Sequence, residues 1–117
     1  MRIIGLDIHP AFAEAVAWEE GKLRRIGRID MRREVLTAFA QGLQQDDVVV
    51  VEATGNAAAV AAVIEPHVKK VVIANPAQVQ IIAHAKIKTD TIDAGVLAQL
   101  YASFLRERWL GISGQVG

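Results

Sequence analysis

The sequence predicts an α/β domain with a mixed sheet: three antiparallel strands, then two parallel strands, with helices on both faces. Three observations carry that expectation. Segments 12–18 and 22–31 flank the pair Glu20-Gly21, the turn signal of a hairpin. Val48-Val49-Val50-Val51 is a run of four β-branched residues, which suits a strand covered on both sides. Between the later strand candidates lie helical segments, as crossover connections of parallel strands require.

In chain order, residues 2–8 are apolar and end before Pro10, a buried strand with Asp7 near its C-terminal end. In 12–18, Phe12, Val16 and Trp18 share one face and Ala13, Ala15 and Ala17 the other. A face of such small residues lets a helix or a ligand come close to the sheet. Residues 22–31 complete the meander, alternating only loosely. A helix near 33–43 follows, with Leu36, Phe39, Ala40 and Leu43 inward. The valine run ends at Glu52, as the first strand ends at Asp7. Thr54-Gly55-Asn56 then turns the chain into an alanine-rich helix, capped by Asn56 and stopped at Pro66. Residues 71–74 form another buried strand. Asn75-Pro76 supplies an N-cap with proline at the first helical position, opening a short helix to about His84. Thr89 is placed to cap the last helix, which runs to about Arg106 with Asp93, Leu97, Leu100 and Phe104 on its inward stripe. Asp90 precedes Asp93 by three residues and points the same way.

A chain of 117 residues suits one domain, and 52% hydrophobic residues argue against disorder. No uncharged apolar run reaches about 18 residues, so a membrane span is not expected. The acid at Asp7 comes too early for a secretory signal. The absence of cysteine excludes disulfide and thiolate chemistry and makes the cytoplasm the default location. Thirteen basic and thirteen acidic residues cancel, so net charge alone does not announce a nucleic-acid partner. The basic residues are uneven, however. Lys22, Arg24, Arg25, Arg28, Arg32 and Arg33 crowd twelve positions. They form either an edge strand protected by charge or a phosphate-contacting strip that includes Arg24 and Arg28.

In open sheets of this kind, sites lie beyond the carboxyl ends of the parallel strands, where Asp7 and Glu52 fall. Asp90 and Asp93 add two acids from a helix start. Four converging carboxylates repel one another unless a cation neutralises them, and hard oxygen ligands suit Mg²⁺ or Mn²⁺. Two such ions about 3.5–4 Å apart clamp the attacking and leaving oxygens of an in-line phosphodiester displacement. The plainer alternative has Asp7 ending a strand, Glu52 facing solvent, and Asp90 and Asp93 favouring the helix N-terminus.

Four motifs carry a family resemblance: Ile4-Gly5-Leu6-Asp7-Ile8, Val51-Glu52-Ala53-Thr54-Gly55-Asn56, Ala74-Asn75-Pro76 and Lys88-Thr89-Asp90-Thr91-Ile92-Asp93-Ala94. Together they resemble the N-terminal domain of the DEDD transposases of bacterial insertion sequences, the IS-one-ten type, relatives of the Piv-type DNA invertases. The resemblance covers roughly residues 3–105. It implies a RuvC-like, RNase H-like fold, with Asp7, Glu52, Asp90 and Asp93 as catalytic, metal-binding acids for Mg²⁺ or Mn²⁺. It also implies Lys88, with Lys86 ahead of it in the chain, beside the phosphate path. DNA is the implied partner, and the family's full-length members use a structured guide RNA and a second, C-terminal domain bearing a nucleophilic serine. His9-Pro10 departs from the small residue and lysine that many members carry after the first acid.

The expected organisation is therefore a domain at 1–105 and a tail at 106–117, without the serine-bearing domain. Ser113 lies in a glycine-rich stretch and is not assigned the nucleophile's role. The expected function is metal-dependent DNA strand cleavage and exchange in transposition, by a truncated catalytic domain. Two alternatives stay open: a stand-alone resolvase-like nuclease, and a non-catalytic remnant that oligomerises or binds nucleic acid. An actin-like phosphotransferase fits poorly, because glycine and threonine normally follow the first acid there. Without the C-terminal domain, Leu97, Leu100, Phe104 and Trp109 are expected to leave apolar area that a second copy of the chain covers. His84 reads as a packing residue or a substrate-strand contact, and His9 can approach the site from the first turn.

Overall fold

The computed structural model describes residues 1–89 and 91–108. Strands β1 (Ile3–Ile8), β2 (Phe12–Glu19) and β3 (Lys22–Asp30) form the antiparallel meander. Glu20 and Gly21 take φ values of 53° and 77°. Two left-handed residues in succession give a turn whose twist matches the strands it joins. Helix α1 (Arg33–Gln41) leads to β4 (Val48–Glu52), and α2 (Ala57–Ile64) with a 3-10 turn at Glu65–His67 leads to β5 (Lys70–Ala74). Helices α3 (Pro76–Lys86) and α4 (Ala94–Arg108) follow. The sheet order is β3-β2-β1-β4-β5, with β4 parallel to both β1 and β5. This is the expected mixed sheet, and it is consistent with an RNase H-like fold.

The central strands are buried on both faces. Ile4, Leu6, Val49 and Val51 face a layer made by α1 and α2, while Ile3, Val48 and Val50 face the layer of α3 and α4. Full burial of one such side chain is worth roughly 1.5–3 kcal/mol, which is why uninterrupted valine suits β4. Ala15 and Ala17 are almost fully buried against the layer that holds Leu36 and Ala40, so the small-residue face of β2 admits a helix.

Caps divide into one that fits and two that differ. Asn75 caps α3 as expected, its Oδ1 accepting from the Ala77 and Gln78 N–H groups at 2.9 and 3.4 Å. Asn56 stands before α2 but makes no side-chain cap bond. Thr89 does not cap α4. Its Oγ1 accepts from the Thr91 N–H at 3.1 Å, within the loop, and α4 starts only at Ala94.

At the edge away from the β4 and β1 carboxyl ends, Arg2 and Asp47 form an ion pair. Asp47 Oδ2 lies 2.7 Å from Arg2 Nη2 and 2.8 Å from the Gln44 N–H, and its side chain is fully buried. This pair ties the start of the first strand to the turn before β4.

Candidate functional site

Residue alternation selects the face on which the site is built. With Ile4 and Leu6 turned towards α1 and α2, Asp7 shares the opposite face with Ile3 and Gly5. The same parity puts Glu52 with Val48 and Val50. The parallel register pairs Leu6 with Val51, so the next residues, Asp7 and Glu52, come side by side at the carboxyl ends of adjacent strands. Burial, and then the charge of Asp7, raises the Glu52 carboxyl above its ordinary pKa. Two acids that repel across a half-buried strand end are oxygen donors whose repulsion a cation would relieve.

Antiparallel pairing adds a third acid on this face. Glu14 lies directly opposite Asp7. Like charges at such a pair are destabilising, and each acid has a partner that offsets this. Arg28 Nη2 is 3.2 Å from Glu14 Oε1, and His9 Nε2 is 3.0 Å from Asp7 Oδ2. The His9 ring stacks on Phe12 with centroids 4.6 Å apart, and the Arg28 guanidinium carbon lies 3.9 Å from the centre of the Phe12 ring. A stack of three side chains thus connects Glu14 to Asp7. Period-two alternation on 12–14 places Phe12 and Glu14 on one face, but nothing in the sequence singled out this contact set.

Asp93 is brought to the same face by α4, which lies across β1 and β2. Gly5 permits the approach. A Cβ there would overlap the Ala94 carbonyl oxygen and lie 2.8 Å from its carbon and 3.1 Å from the Ala98 nitrogen. The expectation that Asp93 leads the inward stripe is corrected: Asp93 is exposed, whereas Ala94, Leu97, Ala98 and Tyr101 are buried. The helix begins after Asp93, so helical periodicity does not extend back to it. Its Oδ1 instead accepts from the Val96 N–H at 2.9 Å, and its carbonyl accepts from the Leu97 N–H at 3.0 Å. Asp93 is the N-cap of α4.

Among the described residues, no three acids or histidines stand together as a metal-holding group. The pair Asp7 and Glu52 fits a hard cation by its oxygen donors and its mutual repulsion, while the capping bond engages one Asp93 oxygen. Asp90 lies outside the described residues, as do the side chain of Lys86, the side chain of Phe104, and Trp109 and Ser113. Lys88 is exposed in the loop between α3 and α4 and has φ of 63°, a left-handed conformation uncommon for a lysine.

The basic strip of β3 does not act as one surface. Ala15 pairs with Gly27 but Val16 pairs with Arg25, so Ile26 is an extra residue in a β-bulge. The bulge reverses the alternation. Arg28 and Arg25 take register positions beside Glu14 and Val16 on the acid face, while Arg24 pairs with Ala17 and shares the opposite face. Arg24 and Arg28, four residues apart, lie on one face only in a regular strand. The sequence signal for the irregularity is Gly27, whose φ is 133°.

The family model of the DEDD transposases of the IS-one-ten (IS110) type, described as transposase, matches residues 4–108. No curated protein matches the chain.

Proposed function

The chain belongs to the DEDD transposase family of the IS-one-ten type, and on that premise we propose that Asp7, Glu52, Asp90 and Asp93 form a metal-dependent centre for DNA cleavage and strand exchange. The observation that carries this reading is the juxtaposition of Asp7 and Glu52 at adjacent strand ends, where burial and then the charge of Asp7 raise the Glu52 carboxyl. Asp7 and Glu52 would hold Mg²⁺ or Mn²⁺, with Asp93 and Asp90 as the further acids. A bound divalent pair supplies charge stabilisation of the transferring phosphate and an activated oxygen nucleophile.

The chain's own residues prepare that site. The adjacent strand ends hold the two carboxylates side by side, and α4 sets Asp93 over the same face. His9 holds one oxygen of Asp7 by a 3.0 Å contact and is itself held by Phe12. Asp93 keeps its second oxygen out of the capping bond, so it can cap and ligate together.

The partners in this reading are DNA, a structured RNA that selects it, and a second copy of the chain. No helix of the described residues is long and apolar enough to cross a membrane, and the reading places the protein in the cytoplasm.

The test joins thermal melting with plasmid nicking. Mn²⁺ at a hundred times its dissociation constant should stabilise the wild type by about 2.7 kcal/mol, and Mn²⁺ should support nicking of supercoiled plasmid. Asp7→Asn should lose both responses. Asp93→Asn should weaken both without a loss of apo stability, because asparagine caps a helix about as well as aspartate. A melting response and nicking unchanged by Asp7→Asn would overturn the assignment.

A further inference from the structure

Between the first turns of α4 and strands β2 and β3 runs an open groove of about 390 Å³, whose lining includes Glu14, Val16, Leu23, Arg25, Asp93 and Gln99. It is continuous with the acid site through Asp93. Gly95 keeps it open: a Cβ there would already meet Leu23 Cδ1 at 3.4 Å and Val16 Cγ1 at 4.0 Å, so a larger side chain would occupy the space. The floor is apolar, and Leu23 remains 43% exposed.

The charges of the groove are not equivalent. Glu14, which also lines it, is paired with Arg28 at 3.2 Å, and one oxygen of Asp93 accepts the Val96 N–H at 2.9 Å while the other stays out of that bond. Arg25 has no ion-pair partner among the described residues. With Glu14 answered by Arg28, the groove offers one unengaged guanidinium to a phosphate and an apolar floor to sugar and base, and it ends at the proposed cleavage centre, where Asp93 stands with the acids. The bulge at Ile26 is what gives Arg25 this position and denies it to Arg24.

We propose that this groove carries the DNA strand that leaves the acid centre, with Arg25 on a backbone phosphate and Val16 and Leu23 against sugar and base. The proposal rests on the reading of Asp7 and Glu52 as the cleavage centre. It assigns a role to Arg25, removes Arg24 from the DNA surface, and makes two adjacent arginines a matched pair of probes.

The experiment measures binding of the full chain to a fluorescein-labelled DNA with a single-stranded overhang, by anisotropy, across a range of salt. Wild type, Arg24→Gln, Arg25→Gln and Arg25→Lys are compared, with an RNA of the same sequence as a second probe. Arg25 and Arg24 are both exposed, so the variants keep the fold. Loss of one single-strand phosphate contact removes about 0.7 from the salt slope, roughly a fivefold loss of affinity at 0.1 M salt. That loss is expected for Arg25→Gln, with Arg24→Gln near wild type and Arg25→Lys restoring most of the slope. Equal losses for the two glutamine variants, or a loss only for Arg24→Gln, overturn the groove. A loss confined to the RNA probe overturns DNA as its occupant. Wild-type nicking that depends on Asp7, combined with an unaffected Arg25→Gln, overturns the groove and leaves the cleavage centre standing. Failure of the wild type both to bind and to nick removes the underlying reading as well.

Discussion

At the residue scale, the acid face is organised by compensation. Asp7 is flanked by Glu52 on the neighbouring parallel strand and by Glu14 on the antiparallel one. His9 and Arg28 supply the opposing contacts on the antiparallel side. On the parallel side no cation among the described residues answers Glu52, and its carboxyl is raised by burial and by Asp7. The sign of the consequence follows from proton linkage. A folded-state pKa above the unfolded one means that the native protein binds the extra proton, so stability falls as pH rises from the ordinary value of 4.5 through the raised one. Glu52→Gln should therefore stabilise the metal-free chain above that window and flatten this part of its profile. Melting temperature measured from pH 4 to pH 8 for both proteins checks it. A variant less stable than wild type at neutral pH would show that Glu52 is stabilised by contacts rather than strained by charge.

At the element scale, α4 is the part that must arrive at the right height above the sheet. Its first turn rests on the backbone of β1 because Gly5 has no Cβ, and two residues further along that strand stands Asp7. The obstruction in Gly5→Ala is backbone rather than a mobile side-chain tip, so α4 must shift or the strand must bend. Overpacking of this kind costs typically 1–3 kcal/mol. The expected outcome is a lower denaturant midpoint together with a reduced melting response to Mn²⁺, since the displaced helix carries Asp93 away from the two strand ends. Loss of stability with the full metal response retained would mean that Asp93 does not take part. The bulge in β3 is the second device at this scale, for it decides which arginines share a face with the acids.

At the scale of the whole molecule, the two ends of the parallel strands do different work. The carboxyl ends gather charges that repel, and the opposite end holds the fully buried Asp47 with both oxygens bonded, to the half-buried Arg2 and the Gln44 N–H. Breaking a fully buried pair costs about 3–5 kcal/mol, and the partial exposure of Arg2 sets the cost of losing Asp47 at or below the lower end of that range. Asp47→Ala should thus be among the more damaging single changes to the fold, measured by urea unfolding. Because Asp47 lies at the far end of β4, the surviving folded fraction should still respond to Mn²⁺ as wild type does. An equal loss of metal response in folded protein would show that the two ends are coupled through β4.

The sequence by itself determined the strand and helix order, the hairpin at Glu20-Gly21, the doubly covered valine strand and the cap at Asn75, because each is local: a turn needing left-handed residues, a run of β-branched side chains, an oxygen two residues before a free N–H. It also placed Asp7 and Glu52 at strand ends, which parity and parallel topology make neighbours. Tertiary structure alone decided the rest. Asp93 is a cap and not a stripe residue because α4 starts where Gly5 lets it settle, a contact between positions far apart in the chain. Arg25 and not Arg24 faces the acids because pairing with β2 accommodates one residue too many in β3. The connection from Glu14 through Arg28, Phe12 and His9 to Asp7 exists only once three strands lie side by side, since cross-strand neighbours are set by register and register is a property of the folded sheet.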